Sequence, residues 1–148
     1  MPARIFPTAQ DAEAAFYEAL ERADLELMMA VWSEDEEIVC VHPGGPRLAG
    51  QDAVRQSWRQ IFAAGARARL HVTQQVAIAG PMLAVHSVHE NFSIPGEKRA
   101  QQSVVATNVY LRTAAGWRLV AHHGSPAPGA AQAPSGPPAP PAAPKILH

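Results

Sequence analysis

An α+β fold is predicted by the order in which two periodicities appear along the chain. Up to Gly65, apolar residues recur at helical spacing in three stretches, separated once by a short β-branched run. From Arg67 to Ser125 they recur at every second position, and Gly80-Pro81, Pro95-Gly96 and Ala114-Ala115-Gly116 punctuate that half as turns of an antiparallel meander. Three amphipathic helices followed by such a meander pack only if the sheet curves around them.

Thr8 and Asp11 form a capping pair ahead of Ala12, Ala15, Phe16, Ala19 and Leu20, which predicts a first helix of about four turns. Asp24 caps a second, shorter helix with the stripe Leu25, Met28, Met29 and Trp32, stopped by Ser33-Glu34-Asp35-Glu36. Glu37 to His42 reads as a strand ended by Pro43-Gly44-Gly45-Pro46, so His42 is delivered to a strand end beside a tight turn. Ala53, Val54, Trp58, Ile61 and Phe62 form the apolar stripe of a third helix that stops at Gly65. Four long strands follow: one from Arg67 with Leu70, Val72, Val76 and Ile78 on one side, then Met82 to Phe92, Gln102 to Arg112 and Trp117 to His123. Helices cover one face of the sheet. The other needs a cover too, and a homodimer through the sheet face is the expected one.

The chain has 148 residues, 47% of them hydrophobic and 17% charged, enough for one core without disulfides or structural metal. Residues 1–126 are read as one domain and 127–148 as a Pro/Ala-rich, disordered tail. A net charge of -1 carries no basic surplus, so nucleic acid and acidic membranes are not expected partners. No run approaches the ~18 apolar residues of a membrane helix. The single cysteine, Cys40, lies between Val39 and Val41 and is expected to be a buried free thiol, which suits a reducing, cytoplasmic compartment.

Three strings carry a resemblance to a known superfamily. Ala19 to Glu26 followed by Val31-Trp32-Ser33-Glu34-Asp35 resembles the helical opening of SnoaL-like, nuclear transport factor 2-like and ketosteroid isomerase-like domains. Val41-His42-Pro43-Gly44-Gly45, then Leu48 to Val54 and Trp58, is similar to the strand, loop and third helix of the SnoaL-like branch. Gly116 to Ser125 is similar to that branch's closing strand and to that of the calcium/calmodulin-dependent kinase association domain. The resemblance implies a cone-shaped roll, three N-terminal helices packed in a curved, mostly antiparallel sheet, enclosing an apolar cavity and commonly dimeric. It leaves the chemistry open, because the same fold serves isomerases, cyclases, dehydratases and assembly domains.

Set against the ketosteroid isomerase pattern, His42-Pro43 falls where that family has Asp-Pro, Asn108 where it has a strand Asp, and Phe16 where it has a helix Tyr, with Tyr17 one residue out of phase. A His can still abstract an acidic proton and an Asn amide can donate to an oxyanion. Loss of the Tyr donor would remove about 3 kcal/mol of oxyanion stabilisation, which argues against steroid isomerisation itself. His42 and Asn108 are therefore the candidate catalytic residues, the former also readable as a loop histidine held by the Pro43–Gly45 backbone and the latter as an Asn paired across the sheet. Trp58, Phe62, His89, Tyr110 and His123 are the candidate ligand contacts, with Trp32, Trp58 and Trp117 otherwise core residues.

His86 and His89 should point to opposite faces, as should His122 and His123, with His123 expected as the fixed member of its pair and Glu90 facing solvent. No metal or other cofactor is expected: a set drawn from His42, His89 and His123 lacks any accompanying carboxylate or cysteine. Gly44-Gly45 is too short to cradle a phosphate, and no nucleophilic triad or dinucleotide fingerprint is present. The expected function is binding of a small, apolar, carbonyl-bearing molecule, with acid-base isomerase, cyclase or lyase chemistry where catalytic. The alternative is a non-catalytic association module with a vestigial pocket.

Overall fold

The computed structural model describes residues 4–35, 37–65, 68–93 and 103–128. The Pro95-Gly96 loop and nearly all of the Pro/Ala-rich segment lie outside them. Helix α1 spans Ala9–Arg22, and Thr8 caps it by accepting the Asp11 backbone N–H, as the sequence predicts. Its last turn closes on Ala23 in the left-handed conformation. Asp24 caps α2 (Leu25–Val31), and α3 runs Gln51–Ala63. The strands are β1 (Val39–Val41), β2 (Arg47–Ala49), β3 (Arg69–Ala79), β4 (Leu83–Ser93), β5 (Ser103–Thr113) and β6 (Gly116–Pro126). The short hairpin strand β2 is an addition to the elements expected from sequence.

The architecture is α+β: three helices against one face of a six-stranded sheet ordered β2-β1-β6-β5-β4-β3. Every pairing is antiparallel except β1 with β6, which is parallel because α3 and the whole meander separate them in sequence. The β5–β6 hairpin turns through Ala114-Ala115 into Gly116, whose φ of 93° and close approach to the Phe6 backbone, 2.9 Å from a hypothetical Cβ, leave room only for glycine.

Two β-bulges set which side chains enter the core. In β3 the register shifts between Thr73 and Val76, so that Gln74 and Gln75 together oppose one residue of β4, and Gln74 takes a left-handed φ of 53°. In β6, Leu119 pairs with Tyr110 but Ala121 pairs with Val109, leaving Val120 as the extra residue. Each bulge reverses the alternation beyond it. Leu70 and Val72 therefore stay on the core side, whereas Val76 and Ile78 emerge on the outer face at 62% and 66% exposure, correcting the expectation that all four share one side. The inner face packs on Phe16, Met28, Val31, Trp32, Val54 and Trp58, all fully buried.

Candidate functional site

Strand alternation places Ala84, His86, Val88 and Glu90 of β4 on the inner face, and Val104, Ala106, Asn108 and Tyr110 of β5 beside them. All eight are buried. His86 is the direct cross-strand partner of Asn108, Asn108 of His122, and His122 of Cys40 on β1. A row of polar side chains thus crosses four strands at one level, where direct neighbours stand about 5 Å apart.

Helix α1 lies over this row and contributes Glu13 and Tyr17, one turn apart and both buried. Tyr17 donates its hydroxyl to Glu90 Oε2 at 2.7 Å and accepts Asn108 Nδ2–H at 2.8 Å. Asn108 Oδ1 in turn accepts from His122 Nδ1 at 2.6 Å. One Asn side chain bridges helix and two strands, because an amide can donate and accept at once. On the other side, Glu13 accepts from His86 Nδ1 at 2.8 Å, from the Tyr110 hydroxyl at 3.3 Å and from the Gln75 side-chain amide. Asn108 also donates toward Tyr110, which joins the two groups into a single network.

Burial pushes both tyrosine hydroxyls well above the ordinary 10.0, reinforced by Glu90 beside Tyr17 and by Glu13 beside Tyr110. Both remain neutral donors at any working pH. Burial also raises the Cys40 thiol to about 12, with Glu90 adding to the shift, so Cys40 is an inert buried thiol rather than a nucleophile.

His42 follows β1 on the same side as Cys40. Its backbone carbonyl accepts Gly45 N–H at 2.8 Å in the turn, while its ring enters the core, with Nε2 3.1 Å from Ser57 Oγ and the ring edge-on to Trp58 at 4.7 Å. Ser57 donates its own proton to Val54 O at 2.8 Å, so the His42–Ser57 bond needs a proton on His42 Nε2. Trp58 also meets His122 at 6.3 Å and Phe62 at 5.7 Å, and Cys40 Sγ lies 3.7 Å from His42 Nε2.

Of the residues singled out from the sequence, His42, Trp58, Asn108 and Tyr110 are brought into the core, and Phe62 packs half-buried against it. His89 and His123 are not: they pair with Val105 and Thr107 on the outer face. The β6 bulge turns His122 inward in place of His123, so the two outer histidines share no site with His42. Glu90, expected in solvent, is fully buried. Tyr17 rather than Phe16 presents a hydroxyl to Asn108, so the tyrosine donor counted as missing is present. Glu13, Tyr17, His86, Glu90 and His122 complete the network. Strand period alone marks His86 and Glu90 as sharing a face, and helix period puts Glu13 and Tyr17 beside Phe16; His122 had no local signal.

Among the described residues, no three His, Cys, Asp or Glu side chains group as a metal-ligand set. A cleft of about 570 Å³ lies at the surface between the α1–α2 turn and α3, lined by Arg22, Ala23, Asp24, Leu25, Glu26 and Arg55, and shares no residue with the network.

The chain matches the SnoaL-like domain model over residues 10–129. It has no significant match among curated proteins. Among solved structures, it is 42% identical to a candidate calcium/calmodulin-dependent protein kinase type II association domain from Thiobacillus denitrificans, with 84% of this chain and 98% of that one covered at a TM-score of 0.79. A candidate dehydratase of the nuclear transport factor 2-like family from Streptomyces avermitilis is 35% identical, with 78% and 91% covered and a TM-score of 0.71. A candidate ketosteroid isomerase from Parabacteroides distasonis shares the fold alone, at 15% identity, 81% and 88% coverage and a TM-score of 0.66. With its helices, its mixed sheet and its matched span all in agreement, the chain belongs to the SnoaL-like domain family.

Proposed function

We propose that this SnoaL-like domain binds a small, largely apolar, carbonyl-bearing molecule in its interior and moves a proton on it without a cofactor, as an isomerase, cyclase or lyase does. The observation that carries the reading is the convergence of Tyr17, Tyr110 and Asn108, three neutral donors in a water-poor site flanked by two buried carboxylates. A fold that needed only a core would lose stability by burying Glu13 and Glu90 in place of apolar side chains. A carbonyl oxygen lodged at Asn108 would take the N–H bonds now made to the phenolic oxygens, and preorganised donors of this kind stabilise the developing enolate. Trp58 and Phe62 would form the apolar wall, and His42 the polar anchor beyond it.

Deuterium incorporation at the carbon next to the carbonyl, followed by NMR across a panel of small ketones and enones, tests this directly. Exchange above buffer background, falling about 100-fold in Asn108→Ala and Tyr17→Phe, is the expected result on the oxyanion-donor scale. Absence of exchange together with no small molecule retained in native mass spectra would sink the reading.

A second reading, a homodimeric or larger association module, is supported by the 42% identity to a candidate association domain and by the outer sheet face. Val76 and Ile78 are exposed there, with Val85, Val105, Val109 and Leu111 only half-covered. The two readings are compatible, because a dimer through the outer face leaves the interior untouched.

A further inference from the structure

We propose that Glu13 and His86 form a carboxylate–imidazole base dyad, with His86 Nε2 as the atom that takes the proton from a carbonyl-activated C–H acid. The inference rests on the proposed reading of the interior and supplies the base which that reading leaves open.

Three observations point to it. First, Glu13 accepts hydrogen bonds from His86 Nδ1, Tyr110 and Gln75, which fixes the His86 proton on Nδ1. In a neutral imidazole held that way, the lone pair sits on Nε2. Second, His86 Nε2 is fully buried and has no hydrogen-bond partner among the described residues. A buried imidazole nitrogen is ordinarily satisfied, so an orphan beside a triply bonded carboxylate is the pattern of a base awaiting its substrate. Third, Gln75 reaches Glu13 only because of the β3 bulge, at which Gln74 is held in the left-handed region. Strain of this kind persists where the surrounding structure requires it, and it clusters at functional sites.

His42 is the weaker base. Its Nε2 is engaged with Ser57 at 3.1 Å and lies 3.7 Å from Cys40 Sγ, so the atom that would take a proton is already occupied. His86 by contrast is the cross-strand neighbour of Asn108, which puts base and oxyanion donor side by side. In the step, the Nε2 lone pair forms a bond to the proton and the C–H pair moves into the adjacent C–C bond. The carbonyl π pair goes to the oxygen, which the Asn108 amide and a tyrosine hydroxyl receive. The imidazolium, its charge balanced by Glu13, then returns the same proton to another carbon or to a leaving group.

The test uses the full chain and a probe that needs only a positioned base. 5-Nitrobenzisoxazole loses its C–H proton to a base as its N–O bond breaks, releasing a coloured cyanophenolate. Long-range ¹H–¹⁵N spectra of the wild type should show His86 protonated at Nδ1 and bare at Nε2. Wild-type elimination should exceed that of free imidazole at equal concentration and fall about 100-fold in His86→Gln, the usual scale for removal of a general base. Glu13→Gln should lower it at least about tenfold, while His71→Gln, on the exposed edge strand, should match the wild type.

A proton found on Nε2, wild-type rates no better than imidazole, or full activity in His86→Gln would each overturn the dyad. If ketone exchange still depends on Tyr17 and Asn108 while His86→Gln is fully active, the carbonyl reading stands and only the base is misassigned. If the dyad signature and the elimination are present but no ketone exchanges, the dyad stands and the carbonyl reading fails.

Discussion

On the inner face of the long strands stand His86, Glu90, Asn108, Tyr110 and His122; on the outer face of the same strands stand Val76, Ile78, Val85, Val109 and Leu111. The usual distribution, apolar within and polar without, is partly inverted. The inner polar groups are tolerated because nearly each one has a partner from α1 or a neighbouring strand, whereas the outer apolar groups are left partly exposed. The contrast teaches that burial in this domain follows hydrogen-bond complementarity on one face, while the other face leaves apolar side chains partly uncovered.

The most severe way to break the inner face is Glu13→Ala, which strands His86, Tyr110 and Gln75 at once. Each buried donor left without its acceptor typically costs about 1–3 kcal/mol, and urea unfolding should show a loss of at least that size. Alkaline titration sharpens the same point. The chain has only two tyrosines, Tyr17 and Tyr110, and both are raised above 10.0, so the folded protein keeps them protonated while the unfolded chain does not. Their contribution to stability is complete below about pH 10 and is lost as pH rises further, because only the unfolded state then releases protons. Phenolate absorbance should accordingly appear together with unfolding, not before it. Cys40, raised to about 12, should likewise resist a thiol reagent at pH 8 until urea is added.

Smaller effects are expected at the bulge and on the outer face. Gln74→Gly relieves about 1–2 kcal/mol of left-handed strain and returns about 0.5–1 kcal/mol in backbone entropy, for a net gain of roughly 0.5–1 kcal/mol. Val76→Asp with Ile78→Asp should change monomer stability by no more than about 0.5 kcal/mol, since both are largely exposed. If the outer face makes the homodimer, light scattering will show the mass of the double variant halved; an unchanged dimer would place the interface elsewhere.

Local chemistry in the sequence was sufficient for the helices and their ends. Thr8 and Asp24 cap α1 and α2 through side-chain acceptors that need no distant partner. Strand alternation likewise placed Asn108 and Tyr110 on one face, and the turn after β1 brought His42 to a strand end. What tertiary structure decided was parity and partnership. A bulge adds one residue and flips every side chain beyond it, and nothing near Gln74 or Val120 announces that shift, because it arises from the register of the neighbouring strand. For that reason His122 enters and His123 does not, and Val76 and Ile78 leave the side that Leu70 and Val72 keep. Glu90 and Glu13 could be read as solvent-facing charges for as long as Tyr17, Tyr110 and His86, up to 97 residues away in the chain, were out of view. A buried carboxylate is stable only with its donors in place, and donors that distant are assembled by the fold alone.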